Sequence, residues 1–229
     1  MYNSPKQEIN KFLDVTELNK FLDILEYTDD YENYYIFLQN RKKYGANKDI
    51  LKSRDILKKE DILNKLTEYV TINSDHESSV NYIKINKCFS KYAISDFIKE
   101  MTEELVENKN PAKIDKSINI LKSCFHNCKS KRTFIDIDFD IPKVNYDLVK
   151  SFTDELTNNN VTYYIIETRG GYHVLILVKT IKYNWTTTLE KVNVAARNIL
   201  TDKFEIVLNK HCTVPIPGTY QGGFLVKML

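Results

Sequence analysis

Glycine and proline are scarce in this chain of 229 residues, six and five respectively, which excludes collagen-like and low-complexity linker architectures. The four cysteines, Cys88, Cys124, Cys128 and Cys212, are too few and too unevenly spaced to staple a chain of this length, so a disulfide scaffold is excluded and a reducing compartment expected. Arginine is nearly as rare. Arg41, Arg54, Arg132, Arg169 and Arg197 are the five among 33 basic residues, so an arginine near an acidic cluster stands out as a bidentate phosphate ligand. No apolar run approaches the roughly 20 residues of a spanning helix, and residues 1–10 are polar where a signal peptide needs an apolar block. We expect an intracellular, cytoplasmic protein without a membrane partner. Neither sign of charge dominates, with 33 basic against 31 acidic residues, so total charge does not point to nucleic acid. A hydrophobic content of 42% and a charged content of 28% fit an ordinary globular chain of one large or two small domains.

Apolar residues recur at three and four spacings from Phe12 to Leu25, which predicts a helix, and helices are also expected over 31–41 and 47–66. Within them, Arg41-Lys42-Lys43 and Lys58-Lys59 read as solvated helix faces in preference to nucleic-acid contacts. The strand formers Tyr69 to Ile72, ended by a turn at Asn73-Ser74-Asp75, predict a strand. A boundary just before it would divide a helical N-terminal region, 1–65, from an α+β domain, 66–229. Helices are expected over 94–108 and 113–128, separated by Asn110-Pro111. The remainder alternates: strand 134–139, helix 146–156, strands 161–167 and 172–178, helix 185–200, and strand-like segments over 205–208, 213–216 and 224–228. That order predicts helices packed on a mixed or antiparallel sheet.

Three motifs carry chemistry. Phe134-Ile135-Asp136-Ile137-Asp138-Phe139 alternates strictly, placing Asp136 and Asp138 on one strand face about 7 Å apart, close enough to converge on divalent cations. A solvated acidic edge strand is the simpler alternative. Glu167-Thr168-Arg169-Gly170-Gly171-Tyr172-His173 joins two strands through paired glycines that permit close backbone approach, with His173 just beyond the turn. Pro217-Gly218-Thr219 forms a tight turn with polar Thr219 and Gln221 close by. Cys124-Phe125-His126-Asn127-Cys128 offers two zinc ligands, Cys124 and Cys128, if Cys88, His211 or Cys212 comes close in space; buried thiols on a helix account for it more simply.

In order and spacing these motifs resemble the archaeo-eukaryotic primase superfamily, in particular the primase-polymerase domains of phages, plasmids and mobile elements. The resemblance rests on the D-x-D strand at Asp136 and Asp138, the small-x-His turn ending in His173, and Pro-Gly-Thr at 217–219, and covers the chain from about Leu66. It implies a catalytic core with a sheet like that of an RNA-recognition motif. It also implies templated nucleotidyl transfer from nucleoside triphosphates on single-stranded DNA, in the host cytoplasm if the source is viral. Asp136 and Asp138 would hold two Mg²⁺ or Mn²⁺ ions, His173 would contact the triphosphate, and Arg169, Gly170, Gly171 and Thr219 would line the nucleotide. The family's third acidic ligand is sought where Asn209, Lys210 and His211 stand, so Glu205 or Asp202 would have to supply it, or His211 replace it. A primase-fold nucleic-acid-binding or replication-initiation module without catalysis is the alternative. A metal-dependent nuclease built on Asp138, Glu167 and Arg169 leaves His173 unexplained. No P-loop can be written with these glycines, so a helicase would be a separate protein.

Overall fold

The computed structural model describes residues 12–72, 77–128, 132–200 and 204–229. Helix α1 (Val15–Ile24) starts at Asp14, whose carboxylate accepts from the Thr16 and Glu17 amides. Strands β1 (Glu32–Asn40) and β2 (Ile50–Leu57) follow, and then helix α2 (Ile62–Ile72), β3 (Ser79–Phe89), α3 (Ser90–Thr102) and α4 (Ser117–Asn127). The second half comprises β4 (Phe134–Asp140), α5 (Tyr146–Asn158), β5 (Tyr163–Glu167), β6 (Tyr172–Leu177), α6 (Trp185–Ile199), β7 (Glu205–Leu208), β8 (Thr213–Pro215), β9 (Tyr220–Gln221), β10 (Phe224–Leu225) and β11 (Lys227–Met228). The chain is an α+β protein with antiparallel sheets, a first ordered β2-β1-β3-β8 and a second ordered β11-β5-β6-β4-β7, with β9 and β10 paired apart from both.

Several expectations for the first third are corrected. Residues 31–41 and the first part of 47–66 form β1 and β2, because the alternate residues Tyr35 and Phe37 pack on α3 and α4 while Tyr34, Ile36 and Leu38 face the opposite core. Tyr69 to Ile72 is the end of α2: Ile62, Leu66, Tyr69 and Val70 are all buried, which is a stripe of helical period. The region 1–65 is therefore not wholly helical, and residue 65 lies within α2. The turn expected at Asn73 to Asp75 lies outside the described residues.

The two sheets share one core. Phe134, Ile166 and Leu175 from the second sheet join Ile36, Leu38, Ile83, Ile85 and Val214 from the first and Ile216 just beyond β8, with α1 and α2 packed on the same cluster. On the outer side of the second sheet, Ile135, Ile137, Phe139 and Val174 pack against Val149, Phe152 and Leu156 of α5 and Val192 and Ala196 of α6. Strand β4, between β6 and β7, thus has its odd residues under helices and its even residues towards the first sheet. No helix among the described residues is long and apolar enough to cross a membrane.

Asn86 on β3 fixes where β4 begins. Its Oδ1 accepts from the Thr133 and Phe134 amides at 2.9 and 2.8 Å, and its Nδ2 donates to the Phe134 carbonyl at 2.9 Å. Asn86→Ala would leave these buried backbone groups unpaired. We expect a loss of about 2 kcal/mol, read as a lower denaturant midpoint at unchanged slope.

Candidate active site: an acid pair bridged by histidine

The even residues of β4 present Asp136, Asp138 and Asp140 on one face in increasing exposure, from the wholly buried Asp136 through Asp138, whose side chain is 39% exposed, to the exposed Asp140. Two carboxylates on adjacent same-face positions repel unless a cation lies between them. His173 is that cation. It pairs with Asp138 across the β4–β6 ladder, its Nδ1 lies 3.0 and 3.2 Å from the two Asp136 oxygens, and its Nε2 lies 3.8 Å from Asp138. Burial disfavours a charged imidazole, but the Asp136 carboxylate and its hydrogen bond, helped by Asp138, outweigh this and push the His173 pKa up to about 9. Asp138 is also pushed up, by burial first and then by Asp136 and Asp140, against the opposing pull of His173 and Lys43.

Asn209 completes the environment of Asp136. Its Nδ2 donates to Asp136 Oδ2 at 2.7 Å and its amide donates to the Asp136 carbonyl at 2.9 Å. Along β7, Val207 is opposite Asp138 and Glu205 is opposite Asp140, so the rungs facing the acid pair carry Val207 and Asn209 and no third carboxylate. Glu205 is exposed and shares the open end of the row with Asp140. Asp202 lies outside the described residues.

The paired glycines meet the expectation of close approach. A side chain at Gly171 would place its Cβ 1.9 Å from the Phe139 carbonyl, so β4 can approach the β5–β6 turn only because that atom is missing. A Cβ at Gly170 would sit 3.2 Å from an Asp140 carboxylate oxygen, which sets Arg169 and Gly170 beside the exposed end of the acid row. The Arg169 guanidinium donates to the Gly222 carbonyl and lies over the Tyr44 ring at 4.9 Å. Its amide donates to Gln221 Oε1 at 2.7 Å, and Gln221 Nε2 donates to Tyr44 Oη at 2.8 Å. Arg169 is therefore held by the β9–β10 turn and by the short helical turn Lys42–Tyr44.

That turn is the part of the site that sequence reasoning missed. Lys43 acts electrostatically on both Asp138 and His173, so this helical turn, whose two lysines are exposed as expected, also faces the acid row. Gly45, at φ +107°, is the visible signal of the sharp turn that brings it there.

Thr219 is not brought to the site surface. It is fully buried and its hydroxyl donates to the Ile216 carbonyl at 2.7 Å, while Gly218 accepts the Asp14 amide and locks the Pro-Gly-Thr turn to the start of α1. His173, expected at a triphosphate, is engaged by the two aspartates. Of the two thiols expected as zinc ligands, that of Cys124 is directed to Glu100, and Cys128 Sγ donates to the Phe125 carbonyl at 3.3 Å. Among the described residues no group of three or more His, Cys, Asp or Glu side chains is placed to hold a metal ion. Compared with protein-family models, curated proteins and solved structures, the chain matches none.

Proposed function

We propose that the protein is a DNA-directed primase-polymerase that joins nucleotides from nucleoside triphosphates on a single-stranded DNA template. The observation that carries this reading is the Asp136-Asp138 pair on the inner face of a central antiparallel strand, set across from His173 and flanked at its open end by Lys43 and Arg169. Hard carboxylate oxygens suit Mg²⁺ or Mn²⁺. Asp138 is half open and would meet such an ion first, with Asp140 or Glu205 at the outer end; Asp136 has both oxygens in hydrogen bonds but retains lone pairs, and would join it only with the His173 ring displaced from between the two carboxylates. When bound, such ions favour the attacking alkoxide and neutralise charge on the leaving pyrophosphate. The chain's own residues do the rest. His173 keeps Asp136 ionised and aimed, Asn209 fixes its second oxygen, and Lys43 and Arg169 supply positive charge where a triphosphate would lie. The antiparallel sheet with two helices on one face is consistent with the RNA-recognition-motif-like core that the family resemblance implies.

The test is incubation of purified protein with single-stranded DNA, labelled deoxy- or ribonucleotides and Mg²⁺ or Mn²⁺, with and without an annealed primer. Products growing in length are expected, and Asp138→Asn should reduce them roughly a hundredfold or more. A second reading, a primase-fold nucleic-acid-binding module without catalysis, is favoured by the neutral Val207 and Asn209 opposite the acid pair. Binding of single-stranded DNA with no incorporation under either metal would select it.

A further inference from the structure

Between β7 and β8 the chain crosses from one sheet to the other, and beside this crossing lies a cavity of about 260 Å³. Lys84 from β3, His126 from the end of α4, Arg132, and Lys210 and His211 from the crossing loop all line it, and among the described residues no carboxylate does. Lys84 is only 6% exposed. Its ammonium donates to the carbonyls of His126 and Cys128, both at 3.0 Å, at the C-terminal end of α4. A helix end offers roughly half a negative charge, so a buried full charge is only partly offset, and one of its three protons is left for another acceptor. His126 adds a second unsatisfied group, for its Nδ1 is buried without a hydrogen-bond partner. Burial first, and then the positive charges of Lys84, His211 and Arg54, hold the His126 pKa below the usual imidazole value. The Cys128 and Cys212 thiols on the wall are both pushed up, Cys128 first by its hydrogen bond with Cys88 and then by burial, Cys212 to about 11 by burial first, and they contribute no negative charge at neutral pH.

A buried ammonium with a spare proton, beside an exposed arginine and lysine and no acid, is arranged to take an anion. The volume is below the ~300–1,000 Å³ of pockets that enclose whole small molecules, which fits a phosphoryl or pyrophosphoryl group. We propose that this cavity is a phosphate-binding site in which Lys84, Arg132 and Lys210 hold a phosphate group of a nucleotide or of a nucleic-acid strand. It is separate from the cations at the Asp140 end of the acid row. Asn209 joins the two regions, bonding Asp136 through its side chain and accepting the Cys212 amide through its carbonyl at 3.1 Å. The acid pair therefore has Lys43 and Arg169 beyond one end and this cavity beyond the other.

The inference does not depend on catalysis, and its test is metal-free. Calorimetry in EDTA would measure binding of pyrophosphate, thymidine triphosphate and a short oligothymidylate to the unaltered chain, to Arg132→Ser/Lys210→Ser, and to Lys150→Ser/Lys191→Ser. The last removes equal charge from exposed positions on α5 and α6. Pyrophosphate affinity should fall roughly tenfold or more in the first variant only. A parallel loss for the triphosphate alone assigns the site to a free nucleotide, and a loss for the oligonucleotide assigns it to a strand. Ring resonances of His126 in the unaltered chain should shift on pyrophosphate addition. Absence of pyrophosphate binding, equal loss in both double variants, or an unmoved His126 would overturn the proposal.

Discussion

Asp136→Ala is expected to destabilise the fold by about 3–4 kcal/mol near pH 7, read by chemical denaturation. The side chain is wholly buried and accepts from both His173 and Asn209, so removing it leaves a buried imidazole without its carboxylate and an amide without its acceptor. His173 can escape by losing its proton, which limits the damage and makes it depend on pH. Above about pH 9, where His173 is neutral in the intact protein as well, the difference between variant and parent should shrink. Asp138→Asn should stay within about 1 kcal/mol of the parent, because that side chain is partly in water and its partner among the described residues, His173, keeps its bond to Asp136. Asp138, and not Asp136, is therefore the residue whose substitution reports on chemistry.

The second large effect is a fall in stability as the metal-free protein is taken from neutral to mildly alkaline pH. His173 titrates near 6.5 in an unfolded chain and is pushed up to about 9 in the folded one, so between those values the folded state binds more protons than the unfolded state. The stabilisation is complete below about pH 6.5 and is lost as pH rises through about 9, with a total on the order of 3 kcal/mol. Urea titrations at intervals across that range, in EDTA, should show the midpoint declining. In Asp136→Asn the decline should vanish, since burial, the largest influence on His173, then acts without the opposing carboxylate. A parent protein of constant stability from pH 6.5 to 9 would mean that His173 is not held as an imidazolium.

The second sheet and its acids were legible because β4 alternates without interruption and the β5–β6 turn holds two of the six glycines. Helices α5 and α6 were equally plain, each with one apolar stripe against the sheet. The first sheet was hidden for a physical reason. Strand β3 is buried along nearly its whole length yet includes Asn81, Lys84, Asn86 and Lys87, polar residues that no periodicity assigns to a core. Their burial is possible because partners arrive from far along the chain: Glu32 and Glu26 for Lys87, residues 133–134 for Asn86, and the end of α4 for Lys84. The same distance in sequence concealed Lys43, which reaches the acid row only once β1 has paired with β3. Asn209 looked like a missing acid, and the structure gives it a role that an aspartate could not fill, as a donor to Asp136.

The most direct test of the account is incorporation of labelled nucleotide on a single-stranded DNA template with Mn²⁺ or Mg²⁺, comparing the parent with Asp138→Asn after both have been shown to unfold at the same denaturant concentration. The account predicts metal-dependent products from the parent and roughly a hundredfold less from the variant. Equal synthesis by two equally folded proteins, or none by the parent while it binds the template, would contradict the assignment of Asp136 and Asp138 as the centre of a nucleotidyl-transfer site.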